Sequence, residues 1–165
     1  MAVRLHGPTI SSAEIPASTI VAADIEADLL RYVDVQVTHT QLLDLNDTDV
    51  TLVATPGTNR AIVVHAIAMV FDVTTTGYTL NSTAIAVGYG SDGADIAAVT
   101  EAGFLDQATD QIRFYNLGGA PEISTPVANV PVVLRSTVAE MTGGNAANTL
   151  SVRVYYSVVD TIAFS

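Results

Sequence analysis

The chain has 165 residues, 17 of them acidic and only six basic, which gives a formal net charge of −11 at neutral pH. All six basic residues are scattered arginines, so no continuous basic surface is expected, and binding to nucleic acid or to an anionic membrane is disfavoured. Cysteine is absent, which excludes disulfides, a catalytic thiol and thiolate metal sites.

The balance of hydrophobic and charged residues indicates an oligomer. Hydrophobic residues make up 49% of the chain and charged residues 14%, against about 25% charged residues in an ordinary soluble domain. Few charges remain to cover the surface of a monomer, so we expect part of the surface to be buried between subunits. No apolar run approaches the roughly 20 residues that a membrane-spanning helix needs.

The N-terminal segment carries an aliphatic side chain at every fifth position, at Ile10, Ile15, Ile20, Ile25 and Leu30. The units AEIPA, STIVA and ADIEA resemble the pentapeptide repeat, whose central aliphatic side chain points into a wound β ladder. Four or five units cannot bury a core alone, so the segment must lie against the body, a sister subunit or a partner. The alternatives are an extended arm whose isoleucines dock in pockets, a threefold wound stalk, and a chance pattern. We predict an arm over residues 1–30 and a body over 31–165.

The first half of the body predicts strands. RYVDVQVTH alternates, with one apolar face formed by Val33, Val35 and Val37. TQLLDLND is expected to form a brief helical turn capped by Thr40. A strand, a turn at Pro56–Gly57 and a long strand over residues 60–73 follow. The long strand is apolar on both faces, which favours a central position or a subunit interface.

The second half predicts further strands and one helix. YTLNSTAIAVGYG and DQIRFYN are strand candidates, whereas DGADIAAVTEAG, residues 92–103, is predicted to be helical. The prolines at positions 126 and 131 favour edges and bends over a central strand. MTGGNAANT is a turn cluster, and the closing strand has one apolar face made of Leu150, Val152, Val154, Tyr156 and Val158. Many short strands with little helix predict an all-β fold, an antiparallel β-sandwich or jelly roll.

Two motifs raise the question of a bound ligand. Gly88, Gly90 and Gly93 match the G-x-G-x-x-G dinucleotide pattern, but no further βαβ units follow, which favours a plain glycine turn. The DLNDTD segment offers the oxygens of Asp44, Asn46, Asp47 and Asp49 to a hard cation, for example calcium between subunits, but it lacks the glycine and distal glutamate of an EF-hand. A solvated acidic turn that caps backbone amides is the alternative.

Histidines and carboxylates give no convincing catalytic pattern. His6, His39 and His65 share no ligand spacing, and His65 is expected to be neutral and hydrogen-bonded in the core or an interface. The alternative role for His65 is to bind a metal ion on the axis of a trimer. No G-x-S-x-G motif occurs. Asp106 and Asp110 could serve as a glycosidase pair, but the chain has no tryptophan to hold a sugar. We therefore predict a non-enzymatic protein without a cofactor.

Two stretches resemble small structural proteins of tailed phages. Residues 35–79 combine a Val/Thr strand, a short Leu-rich turn, a hairpin of the TLVAxPGxxxAIVV type and a strand that ends in an aromatic residue. NTLSVRVYYSVVD resembles the last strand of the same proteins, and the five-residue repeats are similar to those of fibre and capsid-associated sequences. The family is that of phage head decoration (cement) or fibre-like virion proteins, and the resemblance covers roughly residues 10–90 and 145–160. It implies a β-rich, often trimeric body on a capsid or tail, without catalysis.

These observations predict a homotrimeric decoration protein on the outer surface of a phage head, where it binds the major capsid protein and stabilises the assembled shell. The residues expected to contact the capsid or another partner are Arg4, Ile10, Ile15, Ile20, Ile25, Leu30 and Arg31. No nucleic acid and no membrane are expected as partners. The alternative is a tail or head fibre module that binds a receptor or glycan, with the repeat as a trimeric stalk.

Overall fold

Strands dominate the described part of the chain. The computed structural model describes residues 30–82, 84–91, 93–117, 128–136 and 138–161. Within these ranges the strands and the single helix are β1 (Arg31–Thr38), α1 (His39–Leu43), β2 (Val50–Val53), β3 (Arg60–Asp72), β4 (Tyr78–Thr79), β5 (Ala84–Tyr89), β6 (Asp95–Thr100), β7 (Gln111–Asn116), β8 (Val132–Ser136), β9 (Thr142–Gly143) and β10 (Thr149–Asp160). The five-residue repeats before Leu30 lie outside the described residues, so their structure stays a prediction.

The strands form two four-stranded antiparallel sheets. The first sheet has the order β1-β10-β3-β7, the second has the order β2-β8-β5-β6, and β4 pairs with β9. The all-β antiparallel fold predicted from the sequence is confirmed. Apart from the two-residue strands, pairing is nested from the chain ends inwards: β1 with β10, β2 with β8, β3 with β7, and β5 with β6. No helix among the described residues is long and apolar enough to cross a membrane.

One hydrophobic core lies between the two sheets. It takes buried side chains from both, among them Val37, Ile67, Phe71, Val87, Leu134 and Val152. A hydrogen bond also crosses the core, because the hydroxyl of Tyr89 on β5 donates to the carbonyl of Ile62 on β3 at 2.7 Å. Because the apolar faces of the two sheets pack against each other and are thereby removed from water, these contacts define a sandwich.

The long strand β3 lies inside the first sheet, between β10 and β7, as its two apolar faces predict. Its inner side chains are fully buried, at Ile67, Met69 and Phe71. The closing strand alternates as predicted up to Val154. A register shift between Tyr155 and Tyr156 then interrupts the alternation, so Ser157 and Val158 are both buried.

Two predicted local structures are wrong. The helix expected over residues 92–103 is absent, because Asp95–Thr100 form β6 and pair with β5. Its alanines suit a helix, but hydrogen bonding to β5 outweighs that propensity. The helix cap is Thr38 rather than Thr40, since the Thr38 hydroxyl accepts from the Gln41 amide while the Gln41 side chain accepts from the Thr38 amide.

The glycine and proline segments flank the second sheet. Gly90 has a φ of +62° and lies in the turn between β5 and β6, so a strand follows the glycine motif where a dinucleotide-binding fold would place a helix. The plain glycine turn is therefore confirmed. Pro131 precedes β8, which is an interior strand rather than an edge. The proline ends the preceding loop, and its carbonyl accepts a hydrogen bond from Gly90 at 2.9 Å.

Candidate interaction surface

The face of the first sheet that points away from the core carries the most exposed apolar area on the described strands. We call it the outer face. Strand register places Ile112 opposite Val70 and Phe114 opposite Ala68. Ile112 is 68% exposed, Phe114 62% and Val70 40%, and we call these three residues the apolar strip. Contiguous apolar side chains of this kind on a soluble protein indicate a binding surface.

The strand that carries most of the strip is at the edge of its sheet. Among the described residues, β7 has one strand neighbour, β3. A strand at an edge presents unpaired backbone amides and carbonyls, and exposed apolar side chains beside them favour pairing with another chain. The apolar strip therefore lies at an edge of the sheet, where a further chain can pack beside its side chains.

Arg113 explains why the apolar side chains of β7 point outwards. It occupies the inner side of the strand, where its guanidinium lies 5.1 Å from the centre of the Phe104 ring. It also donates hydrogen bonds to the carbonyls of Gly103 and Ile112. Because the loop after β6 satisfies this arginine, alternation places its neighbours Ile112 and Phe114 on the outer face.

The other half of the outer face is polar but locally neutral. Arg153 donates two hydrogen bonds to the Asp34 carboxylate, at 2.6 and 2.7 Å, and its guanidinium lies 4.8 Å from the centre of the Tyr32 ring. The hydrogen bond from Arg153 lowers the pKa of Asp34 below its usual value. A depression of about 570 Å³ runs between this pair and the strip, past Ala68 and Val70. The outer face thus combines an ion pair that neutralises itself with an apolar edge.

The structure describes two of the residues predicted to contact a partner. Leu30 is 64% exposed where the chain enters β1, and Arg31, opposite Tyr156, lines a depression of about 290 Å³ together with Pro56 and Arg60. The remaining predicted contacts lie outside the described residues: Arg4, Ile10, Ile15, Ile20 and Ile25. Leu30 and Arg31 therefore belong to the β1 edge of the first sheet, opposite the β7 edge.

The acidic turn is held by a glutamate from a distant part of the chain. Asp44 and Asp47 come together with Glu140, with one carboxylate oxygen from each within 4.8 Å of the others, whereas the Asp49 carboxylate does not belong to this group. Oxygens at this spacing suit a hard cation. However, one Glu140 oxygen already accepts from the amides of Asn46 and Asp47, at 2.8 and 2.9 Å. Sequence reasoning missed Glu140 because it lies over 90 residues along the chain.

The candidate catalytic acids also bind backbone amides. Asp106 accepts from the Gly103 amide at 2.8 Å, and Asp110 accepts from the Val73 amide at 2.9 Å. A hydrogen bond from Gln107 is the main cause that lowers the pKa of Asp106, which is the opposite of what a catalytic general acid needs. The pair thus fixes loops around β3 and β7.

The two histidines that the structure describes form hydrogen bonds with different partners. His39 Nδ1 lies 3.0 Å from the Tyr78 hydroxyl, and burial raises the pKa of Tyr78 to about 12. His65 Nε2 lies 2.9 Å from the Ser157 hydroxyl, so the predicted hydrogen bond is confirmed. Of the two predicted positions for His65, the core is wrong, because its side chain is exposed on β3, and the interface stays a prediction. His6 lies outside the described residues.

Sequence reasoning missed the apolar strip. DQIRFYN alternates between Ile112 and Phe114 on one side and Arg113 and Tyr115 on the other, and the usual expectation buries the first pair. The one signal in the sequence was Arg113, because an arginine on the inner side of a strand requires a stacking partner. The alternating pattern does not show which residue that partner is. Comparison with protein families and with curated proteins finds no match for this chain.

Proposed function

We propose that the protein is a non-enzymatic structural component of a phage virion, a decoration protein that binds the outside of the assembled head as a homotrimer. The observation that carries this proposal is the nested pairing of its strands. A long hairpin that is rolled up pairs its first strand with its last, its second with its second last, and so on. The eight longer strands follow this rule in all four nested pairs.

Nested pairing supports a double-sheet jelly roll. Rolling the hairpin also places β10 beside β3 and β8 beside β5, and both pairs are present. Eight-stranded jelly rolls serve in viral capsid and lectin domains. The architecture agrees with the resemblance of the chain to phage structural proteins, although a fold alone does not determine a function.

Stabilisation of the shell follows from mass action. A protein that binds the assembled shell and not its free subunits stabilises that shell by its binding free energy. Three linked bodies dissociate far more slowly than one, because each contact that opens is held near its site by the others. The arm supplies apolar anchors for the shell or for a sister subunit, and Arg4 and Arg31 are the groups to pair with acidic residues of the capsid.

The second candidate is a fibre module that binds a cell-surface glycan. Its support is the jelly roll, which also occurs in lectins, together with exposed aromatic rings on the outer face at Tyr32 and Phe114. Such rings can stack on sugars. In this case the arm would act as the trimeric stalk.

The proposal requires that a phage encodes the chain, and immunogold electron microscopy of particles of that phage separates these functions. Labelling over the outside of the head is the expected result. Labelling of tail or head fibres, together with binding on a glycan array, would establish the second candidate instead. Particles without label in either place would overturn both.

A further inference from the structure

We infer that the β7 edge with its apolar strip is the docking site for the N-terminal arm, residues 1–29, of a second copy of this chain. The arm would lie extended beside β7 and place one of its isoleucines next to Ile112 and Phe114, since isoleucines five residues apart point to opposite faces of an extended strand. This inference deepens the proposed oligomer, on which it rests, by naming the two surfaces that join its subunits. It does not depend on binding to a phage head.

The receiving surface offers both backbone and side-chain contacts. β7 spans six residues, its described strand neighbour is on one side, and its two outward apolar side chains are more than half exposed. An extended peptide added to such an edge gains main-chain hydrogen bonds, while alternate side chains fill apolar sites on the sheet. Val70 continues the apolar strip on the neighbouring strand, on the side of β7 away from the arm.

The arm has the length and the side chains to reach a neighbouring subunit. Twenty-nine extended residues span roughly 95 Å, whereas the four strands of the first sheet are only about 14 Å across. The arm carries apolar side chains at five-residue intervals, at Ile10, Ile15, Ile20 and Ile25. The free energy falls when a segment of this composition covers an exposed apolar strip, because apolar surface is removed from water.

The direction of β1 favours a neighbour over the same subunit. Register places Asp34 level with Phe114 and Gln36 level with Ile112, across β10 and β3. Running back from Thr38, the chain has passed both of these levels by Asp34, so at Arg31 it is already beyond the apolar strip and heads away from it. An arm that docked on its own β7 would have to reverse direction and cross the sheet, whereas an arm from another copy needs no such reversal.

The symmetry of this contact agrees with a ring. The arm leaves one edge of the sheet, at β1, and the receiving strand forms the other edge, at β7. Because the giving and the receiving surfaces differ, the contact is head-to-tail. Head-to-tail contacts close into rings such as trimers, whereas direct β7-to-β7 pairing would give a twofold dimer.

The charges of the arm and of the outer face indicate that the contact between the arm and β7 is apolar rather than ionic. The arm has one arginine, Arg4, against four acidic residues, Glu14, Asp24, Glu26 and Asp28. The outer face offers no excess of positive charge, because Arg153 is neutralised by Asp34. Association should therefore persist or strengthen when salt is raised, since salt screens repulsion between acidic chains.

Cysteine cross-linking of the full-length protein tests this arrangement, because the native chain has no cysteine to interfere. Ile112→Cys is mixed with Ile15→Cys, Ile20→Cys or Ile25→Cys, the subunits are allowed to exchange, and the mixture is oxidised. We expect a disulfide between two chains for at least one arm position. Val138→Cys is the matched control, because Val138 is 67% exposed but lies outside the two sheets, and it should not link to the arm.

The other outcomes overturn the inference. A disulfide within one chain carrying both Ile112→Cys and an arm cysteine would assign the site to the subunit's own arm. Dimers of Ile112→Cys alone would indicate β7-to-β7 pairing, and absence of any arm link would leave the arm elsewhere. Light scattering on the native protein separates these failures from failure of the proposed oligomer. A trimer without an arm link refutes only the docking site, whereas a monomer refutes both.

Discussion

At the scale of single residues, Glu101 is the most unusual group in the described chain. Its side chain lies at the end of β6, is 0% exposed, and neither carboxylate oxygen has a hydrogen-bond partner among the described residues. Burial raises its pKa to about 7, from an ordinary value of 4.5. The folded state therefore holds a proton on Glu101 that the unfolded chain would release.

We predict that Glu101 makes the protein less stable as the pH rises. The stability that protonated Glu101 contributes is fully present below pH 4.5 and is lost as the pH rises through about 7. This loss lowers the free energy of unfolding by at most about 3 kcal/mol. Glu101→Gln should remove this part of the decline between pH 5 and pH 8, as measured by urea unfolding at both values. Asp72→Asn, at an exposed carboxylate, should keep the native decline, and an equal effect of both variants would refute the prediction.

Arg135 is the residue that holds the turn between β5 and β6. Its guanidinium donates to the carbonyls of Gly90, Ser91 and Gly93, and to Asp95 at 2.6 Å. Arg135→Lys keeps the charge but loses the planar fork, so we expect the free energy of unfolding to fall by about 1–2 kcal/mol in chemical denaturation. Arg60→Lys should change little, because the Arg60–Asp160 pair is exposed. Similar losses in the two variants would contradict this role for Arg135.

At the scale of elements, the hydroxyl of Tyr89 joins β5 to β3 across the core. We predict that Tyr89→Phe lowers the free energy of unfolding by about 1–2 kcal/mol, because the buried hydrogen bond to the Ile62 carbonyl is lost without a replacement. Denaturant unfolding of Tyr32→Phe is the control, since the Tyr32 side chain is mostly exposed. No difference between the two variants would show that the hydroxyl does not stabilise the contact between sheets.

Elements with a simple alternating pattern could be predicted from the sequence, and elements defined by a distant partner could not. Val33, Val35 and Val37 face the core as their spacing predicts. β6 was predicted as a helix because its short apolar run suits both structures, and only its pairing with β5 decides between them. β7 was predicted as a strand. Which of its faces points inwards depends on the stacking of Arg113 on Phe104, and Phe104 lies outside the stretch DQIRFYN from which the strand was predicted.

The candidate surface was less predictable than the fold for the same reason. Periodicity identifies a strand and its two faces, whereas an interaction surface depends on which face the rest of the molecule leaves open. The shortage of charge in the sequence led us to expect, without yet a test, that some surface is shared between subunits. It could not indicate that Val70, Ile112 and Phe114 lie side by side and exposed, because β3 and β7 become neighbours only through the nested pairing.

At the scale of the whole molecule, the proposed ring predicts that stability depends on concentration. Association stabilises the folded state by mass action, so the melting temperature should rise when the protein is concentrated tenfold. The double variant Ile112→Glu/Phe114→Glu should melt at a temperature independent of concentration, and Val138→Glu should behave like the native protein in differential scanning calorimetry. A native melting temperature that does not change with concentration would refute the oligomer.

The position of β10 also has a consequence for how the protein is made. β10 is the last of the described strands to leave the ribosome, yet it lies inside the first sheet, where both β1 and β3 pair with it. Until residues 149–160 emerge, these two strands lack the neighbour that joins them, and the sheet cannot close. The first sheet can therefore close only after synthesis has passed Asp160, and a chain released before Thr149 holds the four strands of the second sheet but cannot complete the first.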